Sequence, residues 1–459
     1  MDIIKETRYT SDQPYTRITK RRARLPEHSI ELWNLINDAG PSVANVTRLT
    51  SRFTGQFNTE AWRRSIFLLL RRHTILNARM LTGADGLELI AEEELDDPLT
   101  LVDFSICRVA EPQTQLAELA GSMTWQPFHP DGPLFRAFLI SVSESENVLG
   151  IVVQHFLADA WSMRIVGREL VSAYYAACAG EVATLPEQKI SYLEYLEWMN
   201  RWRESPEAQS QVAYWTGKLA DAPVVNLPVE SGVDFDAYGL CVEERFLIDP
   251  PIVSRLCDRA KGLHFTPFLL LLTANIAALS VVTTSREIVT SVLTDGRGDL
   301  RLRNMVGLVT NQLRIRAVIN SHDTFEQLAK RVQATYVAAL ANATYPHALI
   351  DAHMGRSKLQ YPAFHFRRLV GQQSRSDQNH TGFEFFQIPS PPPARIRVGH
   401  GSNPGLLIEH VGESMVGALY YLPELHRRET ALRFVDVFCK AVMIAANGSN
   451  HPLCAELQD

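Results

Sequence analysis

Hydrophobic and polar positions organise the stretch "DGPLFRAFLISVSESENVLGIVVQHF" into a strand, a polar turn and a second strand. Alternation along the second strand places Leu149, Ile151, Val153 and His155 on one face. Directly afterwards the period lengthens. Met163, Val166, Leu170, Tyr174 and Ala177 form a helical stripe that ends near Gly180. Upstream, "EAWRRSIFLLLRRHTIL" predicts a helix from about Thr59 to His73. Downstream, "EVATLPEQ" reads as a boundary, and "ISYLEYLEWMNRWRESPEAQSQVAYWTGKLADAP" as helical and aromatic-rich. Strands follow at Val242–Ile248, in "EIVTSVLTDGR", in "MVGLVTNQLRIRAVI" after a loop, and in "SMVGALYYLPEL". "RRETALRFVDVFCKAVMIAA" predicts a closing helix. Mixed helices and strands argue for an α/β (α+β) two-layer sandwich.

One run, Phe265 to Ser285, is apolar enough to suggest a membrane span. Thr266 followed by Pro267 has the form of an N-cap and a first-turn proline. Thr273, Asn275 and Ser280 interrupt the run, and flanking aromatic anchors are missing. A buried helix is the reading, and no membrane partner is expected.

Composition narrows the class. The chain has 459 residues, 46% hydrophobic and 21% charged, so a sizeable core is affordable. A net charge of −6 argues against a nucleic-acid partner. Six scattered cysteines without a C-x-x-C pair read as small hydrophobes in a reducing, cytoplasmic compartment. Residues 1–24 form a charged, polar leader with no secretory signal, and its Lys20, Arg21, Arg22 and Arg24 could meet an acidic partner. "GQQSRSDQNHTG" is polar, and the Pro-rich 389–397 region predicts a stiff crossing segment.

Several catalytic signatures are lacking. No G-x-S-x-G elbow and no H-E-x-x-H pair occurs, and His347, His353 and His365 do not share ligand spacing on one helix face. No metal and no bound cofactor are expected. "GHGSNPG" does not join a strand to a helix start, so it reads as a loop. What remains is "QHFLADAWS", a histidine with an aspartate four residues on, a spacing that by itself is common.

The neighbouring segments add weight. "QHFLADAWS" resembles the H-H-x-x-x-D-G-x-S motif of condensation domains from nonribosomal peptide synthetases, in the chloramphenicol acetyltransferase-like superfamily. Gly132, Pro133, Leu134 and Arg136 resemble the family's G-P-L-x-R element. Tyr192, Tyr195 and Trp198 are similar to Y-x-D-Y-x-x-W, with Glu194 for Asp, and "YWTGKLADAPVVNLP" matches the stretch that follows it. Gly296, Arg297, Gly307 and Asn311 resemble the G-R…G-x-x-x-N-T element. The likeness runs from about Leu25 to the C-terminus. Departures are Ser29 for Gln and Glu31 for Arg beside Leu32 and Trp33. Thr74 and Asn77 stand for Glu and Arg after Arg72 and His73, Gln154 for His, Ala160 for Gly, and Gln312 for Thr.

The resemblance implies two chloramphenicol acetyltransferase-like lobes in a V around a central tunnel. The expected limits are a leader to residue 24, an N-terminal lobe 25–182, and a C-terminal lobe 183–459 with a crossing latch near 383–400. It implies acyl transfer from a thioester on the 4'-phosphopantetheine arm of a carrier protein to an amine or alcohol acceptor. His155 is the implied catalytic residue, with an imidazole suited to proton transfer near neutrality. It either removes the acceptor's proton or positions the acceptor and steadies the tetrahedral species. Asp159 is implied to pair with Arg297 and hold the turn. Trp161 is expected to pack at the helix start, Ser162 to cap that helix or line the site, and Asn311 to orient the opposing strand. Ala160 would be strained if its position required φ > 0. No adenylation or carrier domain fits this length. The expectation is therefore a free-standing monomer with its carrier in trans, used for chain release. Rivals are an acyl-CoA-dependent acyltransferase, whose usual D-F-G-W-G element is missing, and an inactive carrier-recruiting scaffold.

Overall fold

The computed structural model describes residues 22–25, 46–83, 86–92, 95–105, 111–129, 132–230, 232–234, 237–355, 361–369, 382–389, 395–397 and 404–458. The readings of leader residues 1–21, of Ser29, Glu31, Leu32 and Trp33, of Cys107, and of most of 371–382 and of the glycine-rich 399–405 loop lie outside them.

The first half supplies strands β1 (Arg22–Arg24), β2 (Val46–Thr54), β3 (Ala78–Gly83), β4 (Gly86–Ala91), β5 (Leu99–Asp103), β6 (Phe135–Ser143) and β7 (Glu146–Gln154). Its helices are α1 (Thr59–Arg72), α2 (Pro112–Trp125) and α3 (Ala160–Ala179). Two short helices follow, α4 (Tyr192–Trp202) and α5 (Pro206–Leu219). They make up the segment that the sequence reads as helical and aromatic-rich. Ser205 accepts from the Ala208 N–H and Pro206 opens the new helix. Because proline disfavours helical backbone in the residue before it, one continuous helix is broken there.

The second half supplies β8 (Tyr238–Leu240), β9 (Val242–Ile248), β10 (Glu287–Thr294), β11 (Asn311–Val318), β12 (Ala363–Leu369), β13 (Phe383–Phe385), β14 (Arg395–Arg397), β15 (Gly405–Val411) and β16 (Ser414–Tyr421). Its helices are α6 (Pro250–Gly262), α7 (Pro267–Thr283), α8 (Phe325–Ala341), α9 (His347–His353), α10 (Arg428–Asn447) and α11 (Leu453–Gln458). Two large open sheets result. One has five strands in the order β13-β2-β7-β6-β5, the other six in the order β11-β10-β12-β15-β16-β9. Smaller sheets pair β1-β4-β3 and β14-β8. Arg22–Arg24, read as the end of a polar leader, are thus a strand against β4, with Ala23 buried.

Each large sheet has its own core. Leu49, Leu149, Ile151 and Val153 of the five-stranded sheet pack under α1 and α3, whose Ile66, Leu69, Val166 and Leu170 are buried. That core also takes in Tyr192–Met199 of α4 and Leu302, Met305, Val306 and Val309. The second core gathers around α7. Thr266 caps it by accepting from the Leu269 N–H, and Pro267 opens its first turn. Leu269 to Leu272 are all buried, each contributing about 1.5–3 kcal/mol by leaving water. Neighbours α6, α8, α10 and the six-stranded sheet surround this helix, which explains its span-like composition. Among the described residues, no single helix is long and apolar enough to cross a membrane.

β13 leaves the second half of the chain and pairs with β2 on the edge of the first sheet. Phe383 sits among Phe53, Trp62 and Tyr174 with ring centroids 4.9, 5.7 and 5.6 Å away. Thr50 Oγ1 donates to the Phe386 carbonyl at 2.8 Å, and the Trp125 indole donates to Pro389 at 2.9 Å. The cysteines are less buried than composition suggests. Cys178 is exposed, and Cys241, Cys257, Cys439 and Cys454 are half-buried.

Candidate active site

The strand that carries the motif ends one residue earlier than alternation predicts. Leu149, Ile151 and Val153 are buried under the helices, but β7 stops at Gln154. His155 opens a single 3-10 turn, His155–Leu157, and is exposed, while Phe156 and Leu157 turn into the core. His155 therefore does not share the buried face of those three residues. The cause is local: the Gln154 side chain bends back and its Oε1 accepts from the His155 N–H at 2.7 Å. That bond gives the backbone an alternative to the sheet ladder and rotates the next side chain out of the pleat.

Four residues on, Asp159 is almost fully buried and is the N-cap of α3. Its Oδ1 accepts from the Ser162 N–H at 2.7 Å. Arg297 Nη2 lies 3.1 Å from Oδ1 and 3.2 Å from Oδ2. Val309 N–H and the Thr310 hydroxyl also donate to Oδ2, at 3.2 and 3.3 Å. The other Arg297 nitrogen, Nη1, donates to the carbonyls of Leu302 and Met305 at 2.6 and 2.8 Å. Ser162, whose place was read as helix cap or site wall, is neither. Its fully buried hydroxyl lies 2.7 Å from Asp159 Oδ1 and 2.8 Å from the Gly307 carbonyl, and accepts from the Gly307 N–H at 3.0 Å. Trp161 donates its indole N–H to the Arg303 carbonyl at 3.0 Å, and the Arg164 guanidinium lies over its ring. Together these bonds fasten the start of α3 to the 297–310 loop.

Two glycines make that loop possible. Gly296 has φ +67°, and a Cβ there would sit 2.1 Å from the Val309 carbonyl oxygen. A Cβ on Gly307 would sit 2.0 Å from the Tyr192 ring. The Tyr192 hydroxyl donates to Leu308 at 3.1 Å, and burial pushes its pKa far above the usual phenol range. Ala160 carries no such requirement. It is the exposed first residue of α3 with a negative φ, so the strain considered for alanine there does not arise.

Asn311 is held elsewhere. Its Nδ2 donates to the carbonyls of Ala343 and Tyr345, both at 2.8 Å, and its Oδ1 accepts from the His347 N–H at 3.1 Å. It fixes the 343–347 turn onto β11 and makes no bond to the Asp159 group. A second buried charge group went unread in the sequence. Arg72 Nε donates to Glu169 at 2.9 Å and His73 Nε2 lies 2.8 Å from the same oxygen, all three nearly inaccessible. Burial alone would raise the Glu169 pKa, but His73 and Arg72 hold it below its ordinary value. The helical spacing of Glu169 on a stripe otherwise apolar was the available signal. The larger described cavity, about 320 Å³, lies between Asn77, Arg79, Pro98, Phe128 and Arg136 and touches neither His155 nor Asp159. Arg79 in its wall is already paired with Glu92 at 3.0 Å, so size does not make this cavity the reactive site.

A saturated aspartate–arginine group beside an exposed histidine, on a fold of two open mixed sheets, can be compared with known proteins. The family model described as Condensation domain matches residues 36–452. The chain belongs to the Condensation domain family. Malpibaldin synthetase of Mortierella alpina is 29% identical over 319 residues, 69% of this chain. This chain spans only 6% of that protein's length, and 31% of the phosphinothricin tripeptide synthetase of Streptomyces viridochromogenes, which is 28% identical over 340 residues. The X-domain in its complex with OxyB from teicoplanin biosynthesis superposes with a TM-score of 0.77 at 18% identity, covering 96% of this chain and 97% of that one. The Condensation domain fold is therefore the chloramphenicol acetyltransferase-like one, with no closed barrel. Condensation domains form amide or ester bonds by acyl transfer, working with carrier-protein domains that present substrates on phosphopantetheine arms.

Proposed function

We propose that this Condensation domain transfers an acyl or peptidyl group from a carrier-protein thioester to an amine or alcohol, with the carrier supplied in trans and the product released from the assembly. His155 is the residue that carries this reading. It is the exposed, side-chain-unpartnered histidine of the motif among the described residues, held by its backbone to Gln154 and anchored four residues on by Asp159. Its imidazole is available to a substrate, whereas the Asp159 carboxylate is already saturated. The acceptor nitrogen or oxygen attacks the thioester carbonyl, and a C–N or C–O bond forms as the C–S bond breaks. The acceptor's proton passes to His155 and from it to the departing thiolate, a role worth about 10²–10⁴-fold. Asp159, Arg297 and Ser162 keep the turn in register and touch no reacting atom.

Gln154 favours one second reading. With its side chain committed to the backbone and no histidine at that place, a recruiting scaffold without turnover is the rival. Intact-mass measurement of an acyl-loaded carrier incubated with this chain and a pool of amines and alcohols separates the two. Loss of the acyl mass from the carrier with appearance of acylated acceptor supports transfer. Carrier binding with no mass change for any acceptor supports the scaffold.

A further inference from the structure

Arg48 lies on β2 opposite Val152, and Val46 lies opposite Gln154. Its side chain therefore springs from the same sheet face as that of Gln154, a diagonal neighbour about 7–8 Å away, next to the His155 turn. The Arg48 guanidinium is set over the Trp125 ring, 4.7 Å from its centroid. Trp125 is itself fixed by its bond to Pro389. The Nε of Arg48 is buried and has no hydrogen-bond partner, and no carboxylate pairs with this arginine among the described residues. A stacked, half-buried guanidinium without an acceptor is uncommon, because its fork of donors gains most from a planar oxyanion.

The charge that acts on it most among the described residues is that of Arg367. β12, in the six-stranded sheet, carries His365 and Arg367 on one face. Arg367 is occupied, donating from Nε to Glu409 at 2.5 Å. His365 has a buried Nδ1 with no partner. Burial, and then the charge of Arg367, lowers the pKa of Arg48 and of His365 alike. An anion bound at the guanidinium would balance the charge of Arg48.

We infer that Arg48, braced on Trp125, is a specificity residue that binds an oxyanion of the substrate, either a carboxylate on the small acceptor or the phosphate of the carrier's pantetheine arm. The inference rests on the transferase reading for its site but not for its test, which measures binding without turnover. The full chain and its Arg48→Gln and Arg48→Lys variants are titrated by calorimetry with two matched pairs of probes. One pair is 4'-phosphopantetheine against pantetheine, the other L-leucine against L-leucinamide. Wild type is expected to prefer the anionic member of one pair by at least about tenfold. Arg48→Gln should erase that preference and Arg48→Lys should keep part of it. Preference in the first pair identifies the arm as the source, preference in the second the acceptor. Equal affinity within both pairs for wild type overturns the inference, whatever the variants do. So does a preference that survives in Arg48→Gln. Circular dichroism and thermal melting confirm that each variant is folded. An absence of turnover in the carrier assay would count against the function proposed above and leave this binding result standing.

Discussion

His155 and Asp159 stand four residues apart in the chain and in opposite surroundings. The histidine side chain is exposed and makes no bond among the described residues. The aspartate is 2% exposed, caps a helix and accepts from four residues. The histidine is left available, as its proposed role requires, whereas the aspartate that holds the backbone accepts on both oxygens. Removing one should change chemistry without changing stability. Removing a member of the other should do the reverse first.

The largest expected effect is on turnover. His155→Ala should lower acyl transfer by about 10²–10⁴-fold while leaving the melting temperature within error of wild type, because an exposed side chain without partners is deleted. Unchanged turnover in that variant would remove His155 from the reaction. Arg297→Ala leaves the Asp159 carboxylate buried and short of its main partner. It should cost about 3–5 kcal/mol in a urea titration, with activity falling in step with the folded fraction. A smaller effect should separate the buried Arg72–His73–Glu169 group from both. The Glu169 pKa is depressed below its ordinary 4.5 in the folded chain. Its contribution is therefore complete above that value and is lost as pH falls through the depressed one. Urea midpoints should drop below about pH 4.5, and Glu169→Gln should flatten this part of the profile. The smallest change belongs to Ala160→Gly. As the exposed first helical residue, it should cost at most about 1 kcal/mol and bring no gain in rate. A rise in turnover would mean that the methyl group obstructs the substrate.

Much of the architecture was legible. Alternation found β6 and β7, the helical period found α3, and Thr266–Pro267 marked the start of α7. Where reading failed, a bond across the chain or a single local side chain was responsible. Alternation placed His155 on one face with Leu149, Ile151 and Val153 because it has no means of seeing the Gln154 side chain bend back. The 190–223 stretch read as helical and aromatic-rich, and the structure divides it into two helices at Ser205–Pro206. Ser162 looked like a cap because Ser is a common one, yet Asp159 already fills that place. Arg48 drew no notice, since one arginine in an alternating strand looks like a solvated position until Trp125 is found beneath it.

The sequence by itself determined the family and the chemistry on offer: the ordered motifs from Gly132 to Asn311, the histidine, and the glycines at 296 and 307. Local propensity and residue type are written position by position, so these survive without coordinates. Only the tertiary structure decided which polar groups are free. Pairing of Asp159 with Arg297 joins residues 138 positions apart, and the exposure of His155 depends on where a strand stops. Whether a charge is spent or available follows from what folds against it, and that is a property of the whole chain.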